Sequence, residues 1–200
     1  VLTYAQNECN YFLPTKKGTE VINKSYDARN NLISTAVYKV DDSFDNINGS
    51  GVDIKFTMLD GNNDAYDHGN VAVRCDDGTF YMKMVNTGIT PEIMASLYQD
   101  IELSGDFLDY PNTFNPNFPL TGDLSVDDAS FTIRSKKNKD DNATAHIYNR
   151  KYEGTEKVTT PAGTFDAAKV TYMVDVTKNK STKTYKGTEW YCPNAGIVRA

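Results

Sequence analysis

The chain contains few of the residues that build helices, and it has no long apolar run. Among its 200 residues there are nine leucines and seven glutamates, against twenty aspartates and twenty-one threonines. Leucine and glutamate favour helices, whereas threonine favours strands and aspartate favours turns. No apolar run approaches the ~18 consecutive residues that a membrane-spanning helix needs. This composition excludes a helical membrane protein and predicts an all-β protein.

Positive charge is also scarce. Lysine and arginine total 21 and aspartate and glutamate total 27, so the formal net charge is −6 and the sequence pI is near 4.9. A protein that holds a nucleic acid needs a basic surface against the phosphate backbone. We therefore expect no nucleic-acid partner.

The residue groupings that mark metal and catalytic sites are missing as well. The three cysteines contain no Cys-x-x-Cys pair, so a structural zinc site is not expected. Residues 60–71 carry oxygen-bearing side chains at alternate positions, but Ala65 and Val71 stand where a calcium loop needs glycine and glutamate. This segment therefore predicts a solvated turn. His68 and His146 have no nucleophile at a recognisable spacing, so we expect no enzyme activity, no metal and no cofactor.

From Thr19 onward, short apolar and polar runs alternate and are separated by turn residues, which predicts a meander of antiparallel strands. Residues 91–99 depart from this period, because a proline and apolar residues at three- and four-residue spacing favour one short helix. Residues 107–122 contain three prolines and no usable period, which indicates a connecting loop. About ten strands and one helix predict a strongly curved antiparallel meander, a barrel or half-barrel of the lipocalin-like or lipoprotein-carrier-like kind.

Domain organisation follows from where this pattern begins. Residues 1–8 are either a disordered terminus or the remnant of a signal peptide, since Thr3 and Ala5 fit the small-residue positions of a cleavage site. Residues 9–200 are predicted to form a single barrel-like domain.

The cysteines leave two alternatives open. Cys75 ends an apolar alternation, so it is either a small buried hydrophobe or one half of a disulfide. In an exported protein, three cysteines favour one disulfide and one free thiol, with Cys9 joined to Cys75 or to Cys192.

Seven aromatic and methionine side chains fall on the predicted inward faces. In a barrel of about eight strands such side chains fill the interior, whereas a wider or partly open barrel leaves them lining a cavity for an apolar ligand. Both interpretations stay open for this set, which consists of Tyr38, Phe56, Phe80, Met82, Met84, Phe131 and Tyr172.

Segments 149–165 and 189–198 resemble the TapB-like exported proteins of Bacteroides-type bacteria, which are related to a domain family of unknown function. Segments 9–19, 75–82 and 105–111 resemble them too, so the resemblance spans nearly the whole chain. It implies a periplasmic or outer-membrane-associated protein with a β-barrel-like fold. It implies no catalytic residue, because none is attached to the family.

Two departures from these relatives carry expectations of their own. The relatives often have alanine where this chain has Cys192, which favours a disulfide between Cys9 and Cys75. They also continue past residues 196–198 into a further strand, which implies that this chain lacks its last strand.

Three functions are ranked by these observations. The first is a non-enzymatic exported cell-envelope protein that binds an apolar ligand or lipid on its concave face. The second is a structural or adaptor protein of the periplasm or outer membrane, with a filled core and no ligand. A hydrolase ranks last, since the sequence offers neither a recognisable nucleophile nor a convincing acid pair.

Overall fold

A computed structural model of the chain describes residues 13–46, 49–76, 79–83, 101–105, 107–110, 122–123, 128–135 and 142–200. The predicted terminal segment 1–8 and the predicted helix at residues 91–99 lie outside these ranges. Within them the chain forms strands and turns and no helix. The strands are β1 Glu20–Tyr26, β2 Leu32–Asn46, β3 Gly49–Asp60, β4 Ala65–Asp76, β5 Thr79–Lys83, β6 Ile101–Gly105, β7 Phe107–Tyr110, β8 Gly122–Asp123, β9 Ala129–Ser135, β10 Asn142–Thr160, β11 Gly163–Lys178, β12 Ser181–Cys192 and β13 Gly196–Arg199.

The strands form two antiparallel sheets. Sheet A has the order β1-β2-β3-β4-β5-β7, and sheet B has the order β13-β12-β11-β10-β9-β6, with β8 also paired to β10. Strand β13 contacts β10 although β12 and β11 separate the two in the sheet. Sheet B must therefore curve strongly, as half of a barrel does. The predicted all-β class and the curved antiparallel arrangement are confirmed.

Strand β11 shows how the sequence period produces a two-faced sheet. Successive side chains of a strand point to opposite faces, so apolar residues two apart share one face. Val170, Tyr172, Val174 and Val176 are buried in this way, while the alternate residues 171, 173 and 175 are half-buried on the other face. The alternation in this part of the sequence is therefore matched by the burial of the strand.

Carboxylates close the turns between strands. In the turn between β1 and β2, the Asp27 carboxylate accepts hydrogen bonds from the backbone N–H groups of Arg29 and Asn31, each at 2.8 Å. Asp60 does the same after β3, where its Oδ1 accepts from the N–H groups of Asn62 and Asp64 at 2.8 and 3.0 Å. The segment with calcium-like spacing thus forms the predicted turn, and its first aspartate bonds to the backbone.

The prediction of one connecting loop through residues 107–122 is wrong at both ends. Phe107–Tyr110 forms β7, which pairs with β5, and Gly122–Asp123 forms β8, which pairs with β10. Strands of four and two residues are too short to show a period, and their hydrogen bonds go to partners distant in the sequence. The loop prediction relied on the proline content of residues 107–122. The structure of β7 and β8 instead depends on pairing with strands that are distant in the sequence.

The inner faces of the two sheets share one hydrophobic core. Val52 and Val73 come from sheet A, and Ile133, Val170 and Tyr191 come from sheet B; each is at most 1% exposed. Side chains from both sheets thus meet in the interior and exclude water, so each sheet covers the apolar face of the other.

Aromatic rings also cover glycines on neighbouring strands. Phe56 pairs across the ladder with Gly69, and Tyr172 pairs with Gly187. In both pairs the ring occupies the space that a Cβ atom on the glycine would need. The two glycines therefore let large rings lie flat against the inner face of the sheet.

Candidate functional site

The apolar cleft is a small opening between one end of sheet A and the start of β13. Val21 of β1, Tyr38 of β2 and Ile54 of β3 line one side. Leu13, which precedes β1, and Ile197 of β13 also line it. The cleft therefore forms where the first three strands meet the last one, at a place where the two sheets do not fully cover each other.

Tyr38 is one of three polar side chains that line this cleft, with Thr19 and Asn23. Burial, with a smaller contribution from the nearby Tyr66, raises the pKa of its phenol to about 12. The hydroxyl is protonated at neutral pH, as an ordinary phenol also is. The cleft thus presents an uncharged wall that suits an apolar group better than an ion.

The size of the apolar cleft limits its occupant. Its volume is about 50 Å³. Pockets that hold small-molecule ligands measure about 300 to 1,000 Å³. The apolar cleft has room for one apolar side chain or a few water molecules, and a lipid chain would need the surrounding strands to move apart.

The described side chains of the predicted cavity set lie in two places. Among those whose side chains the structure describes, Tyr38 lines the apolar cleft, and Phe56, Phe131 and Tyr172 lie in the filled core. Phe80 and Met82 belong to β5, but their side chains lie outside the described part, as does all of Met84. A shared ligand-lining role for this set stays a prediction.

A buried carboxylate that the sequence reasoning missed lies on β12. Glu189 is 3% exposed, and its Oε1 accepts a hydrogen bond from the Tyr172 hydroxyl at 2.8 Å. The Tyr191 hydroxyl donates to the other carboxylate oxygen. Burying a charge is costly unless hydrogen bonds replace water, and the two phenols supply them. The signal was the spacing of Glu189 and Tyr191, which places both on the inward face.

The outer face of sheet A carries a polar depression of about 530 Å³, lined by Asp41, Asp53, Asn70 and Arg74 among others. Its charges pair with one another. Lys55 donates to Asp41 at 2.8 Å, and this hydrogen bond lowers the pKa of the Asp41 carboxyl. Arg74 lies 3.4 Å from the Asp53 carboxylate. The charged side chains of the depression thus pair with one another at its surface, and Ile54, Val71 and Ala72 complete its lining.

The histidines offer no metal centre among the residues described. His146 stacks on Tyr148 with ring centroids 5.2 Å apart, and its Nε2 lies 3.4 Å from Asp128. His68 is exposed. No group of three or more histidine, cysteine or acidic side chains in the described ranges could hold a metal ion. No helix in those ranges is long and apolar enough to cross a membrane.

The two cysteines that the structure describes differ in state. Cys75 is disulfide-bonded and Cys192 carries a free thiol. Cys9 lies outside the described residues, so its pairing with Cys75 stays a prediction. Burial raises the pKa of the Cys192 thiol, and the charge of Asp166 adds to this effect. The thiol is therefore a weak nucleophile at neutral pH.

Two solved structures resemble the chain closely. The first is the crystal structure of a proposed exported protein with YmcC-like fold from Bacteroides fragilis NCTC 9343. It aligns with a TM-score of 0.86 and 32% sequence identity over 95% of this chain and 90% of that one. The second is a proposed lipoprotein from Parabacteroides distasonis ATCC 8503, with a TM-score of 0.83 and 32% identity over 96% of this chain and 90% of that one.

These relatives support an exported protein of the kind found in Bacteroides-type bacteria, as the sequence resemblance implied. A comparison with curated protein sequences found no match. The model of the DUF3108-like family matches residues 16–200, which is most of the chain and includes the thirteen strands that the structure describes. The chain therefore belongs to the DUF3108-like family.

Proposed function

We propose that this chain is an exported, non-enzymatic cell-envelope protein that acts through its surface while its interior stays filled. The observation that carries the proposal is the shared core. Side chains of both sheets meet there, and the apolar cleft at its edge measures only about 50 Å³. Among the two functions ranked highest from the sequence, this favours the structural or adaptor protein.

Two observations support export of the protein. The relatives from Bacteroides fragilis and Parabacteroides distasonis are described as an exported protein and a lipoprotein, respectively. Cys75 is disulfide-bonded, and disulfides persist in oxidising compartments outside the cytosol. We place the protein in the periplasm or at the outer membrane, as a member of the narrower TapB-like group.

A non-enzymatic role is supported by the structural hydrogen bonds and ion pairs that the acidic side chains make. Asp27 and Asp60 accept hydrogen bonds from turn backbones, and Asp41 and Asp53 form ion pairs on the outer face of sheet A. Glu189 is held between two phenols in the core. These carboxylates have structural partners, and none of them faces the apolar cleft.

The second candidate function is binding of an apolar ligand or lipid. The apolar cleft favours it, because Val21, Tyr38 and Ile197 form an apolar wall at the protein surface. At about 50 Å³ the apolar cleft is too small for a lipid chain as it stands. This function therefore requires a conformational change, whereas the surface role requires none.

Native mass spectrometry of protein purified from its own host tests the proposal. We expect the mass of the polypeptide without a bound lipid. A lipid that co-purifies in stoichiometric amounts would overturn the filled interior and favour the carrier. The variant Val21→Phe, which narrows the apolar cleft, serves as control: it should release a lipid held in the cleft and should leave a lipid bound elsewhere unaffected.

A further inference from the structure

Strand β1 forms the outer edge of sheet A and pairs with β2 on one side only. Two of its side chains are exposed large hydrophobic residues, Ile22 at 57% and Tyr26 at 49%. Proteins usually protect an edge strand with charges, prolines, bulges or a covering segment, because free backbone groups recruit other strands. Strand β1 has charged residues at Glu20 and Lys24 and a bulge between Ser25 and Tyr26, but its centre at Ile22 is apolar and exposed.

The direction of the backbone groups defines which residues a partner can bind. The Val40 N–H donates to the Thr19 carbonyl at 3.0 Å, so Thr19 points towards β2. Backbone groups alternate sides along a strand, so those of Val21 and Asn23 also point towards β2. The N–H and carbonyl groups of Glu20, Ile22 and Lys24 then point away from the sheet, which leaves a row of donors and acceptors for an added strand.

We propose that β1 pairs antiparallel with β1 of a second copy of this chain, about a two-fold axis at Ile22. The inference rests on the proposed function, in which the protein acts through its surface. In this register Ile22 lies opposite Ile22 of the partner subunit, and Glu20 lies opposite Lys24 of the partner subunit. Symmetry makes the second contact occur twice, so two copies of sheet A join into one continuous sheet.

Charge complementarity selects the second copy as occupant and selects this register. The side chains of Glu20 and Lys24 are exposed, and Lys24 has no ion-pair partner among the described residues. Glu20 contacts Lys39 at 3.0 Å in an exposed pair, which leaves it free to contact a second cation. An axis at Asn23 would place Ile22 opposite a lysine, and an axis at Lys24 would place two lysines opposite each other. Only the axis at Ile22 pairs opposite charges on both sides of an apolar centre.

The other face of β1 is consistent with this pairing. Val21 and Asn23 point to the inner side of the sheet and line the apolar cleft. In the proposed register Val21 of the partner subunit lies next to Asn23, so the added strand extends the wall of the apolar cleft and covers its rim. The partly covered end of sheet A is then completed by the partner.

The test measures the oligomeric state of the full chain by sedimentation velocity across a range of protein concentrations. We expect a reversible dimer for the wild-type protein. The variants Glu20→Lys and Lys24→Glu each place like charges opposite each other twice, and we expect each to raise the dissociation constant about tenfold or more. An equimolar mixture of the two variants restores opposite charges at both positions, so we expect the mixture to dimerise again.

Each other outcome contradicts the proposal. A wild-type protein that is monomeric at every concentration overturns the pairing. A dimer that both variants leave unchanged uses another surface, and a mixture that stays monomeric excludes the register. Stoichiometric binding of a different protein, lost in the variant Ile22→Pro, identifies another occupant of the edge. These readouts are independent of bound lipid, so they fail separately from the mass measurement that tests the proposed function.

Discussion

The interior strands of sheet B and the edge strand of sheet A follow the same alternation but reach different degrees of burial. In β11 every second residue from Ala168 to Val176 is buried, and in β9 Ile133 is fully enclosed. In β1 the inward residues are only half-buried, and the outward ones, Ile22 included, are exposed. The period of a strand therefore determines which residues share a face. Whether that face is covered depends on the neighbouring strands and on the opposite sheet.

The two sheets also treat charge differently. Both sheets carry exposed ion pairs, such as Lys55 with Asp41 in sheet A and Lys157 with Asp166 in sheet B. Sheet B takes the carboxylate of Glu189 into the core and surrounds it with two phenols. Exposed pairs contribute little to stability because water screens them, whereas a buried carboxylate depends on every hydrogen bond that it makes.

Matched isoleucine substitutions give the largest expected contrast between these regions. We expect Ile133→Ala to lower the free energy of unfolding by about 2 to 5 kcal/mol, because it leaves a cavity between the two sheets. The matched variant Ile22→Ala removes the same atoms from an exposed position, and we expect a change within about 0.5 kcal/mol. Urea denaturation at low protein concentration, where the chain is monomeric, provides both values.

Equal losses in the free energy of unfolding of the two variants would contradict this contrast between the core and the edge strand. An Ile22→Ala variant as destabilised as Ile133→Ala would mean that the monomer itself buries the edge of β1. That result would also remove the free edge on which the proposed dimer depends. Far-ultraviolet circular dichroism before denaturation checks that each variant retains its strands.

The next largest effect on the free energy of unfolding is expected from replacing the buried carboxylate of Glu189. In Glu189→Gln an amide replaces one acceptor oxygen, and its N–H group cannot accept from a tyrosine hydroxyl. We expect a loss of about 1 to 3 kcal/mol in the free energy of unfolding. The control Glu153→Gln changes an exposed carboxylate that accepts a hydrogen bond from Thr171, and it should cost less than about 0.5 kcal/mol. A Glu189→Gln variant as stable as this control would show that the carboxylate does not support the core.

The parts of this fold that sequence reasoning predicts are those with a local period. Strands β2, β3 and β11 are long enough to alternate visibly, and the turn residues between them identify the hairpins. Strand β7 was missed because its four residues depend on pairing with β5, which lies far away in the sequence. The candidate site was only partly predictable for the same reason: Tyr38 was identified as inward, but its neighbour Ile197 comes from the opposite end of the chain.

We expect the free energy of unfolding to depend on pH through Tyr38, which lines the apolar cleft at the edge of sheet A. The pKa of Tyr38 is about 12 in the folded protein, above its ordinary value of 10.0, so the folded state holds the proton more tightly than the unfolded one. This stabilises the protein fully below pH 10, and the contribution is lost as the pH rises towards and through 12. We expect the free energy of unfolding to fall by about 1 kcal/mol per pH unit more steeply in the wild-type protein than in Tyr38→Phe over that range.

Urea denaturation at several pH values between 10 and 12 measures the two slopes. The variant Tyr185→Phe, which changes an exposed tyrosine on β12, is the matched control and should follow the wild-type slope. Identical slopes for the wild-type protein and Tyr38→Phe would mean that water reaches the phenol freely and that the apolar cleft is more open than its lining indicates. A steeper wild-type slope would instead show that the cleft excludes water even at the least covered end of sheet A, which is the condition for an added strand to find an apolar wall there.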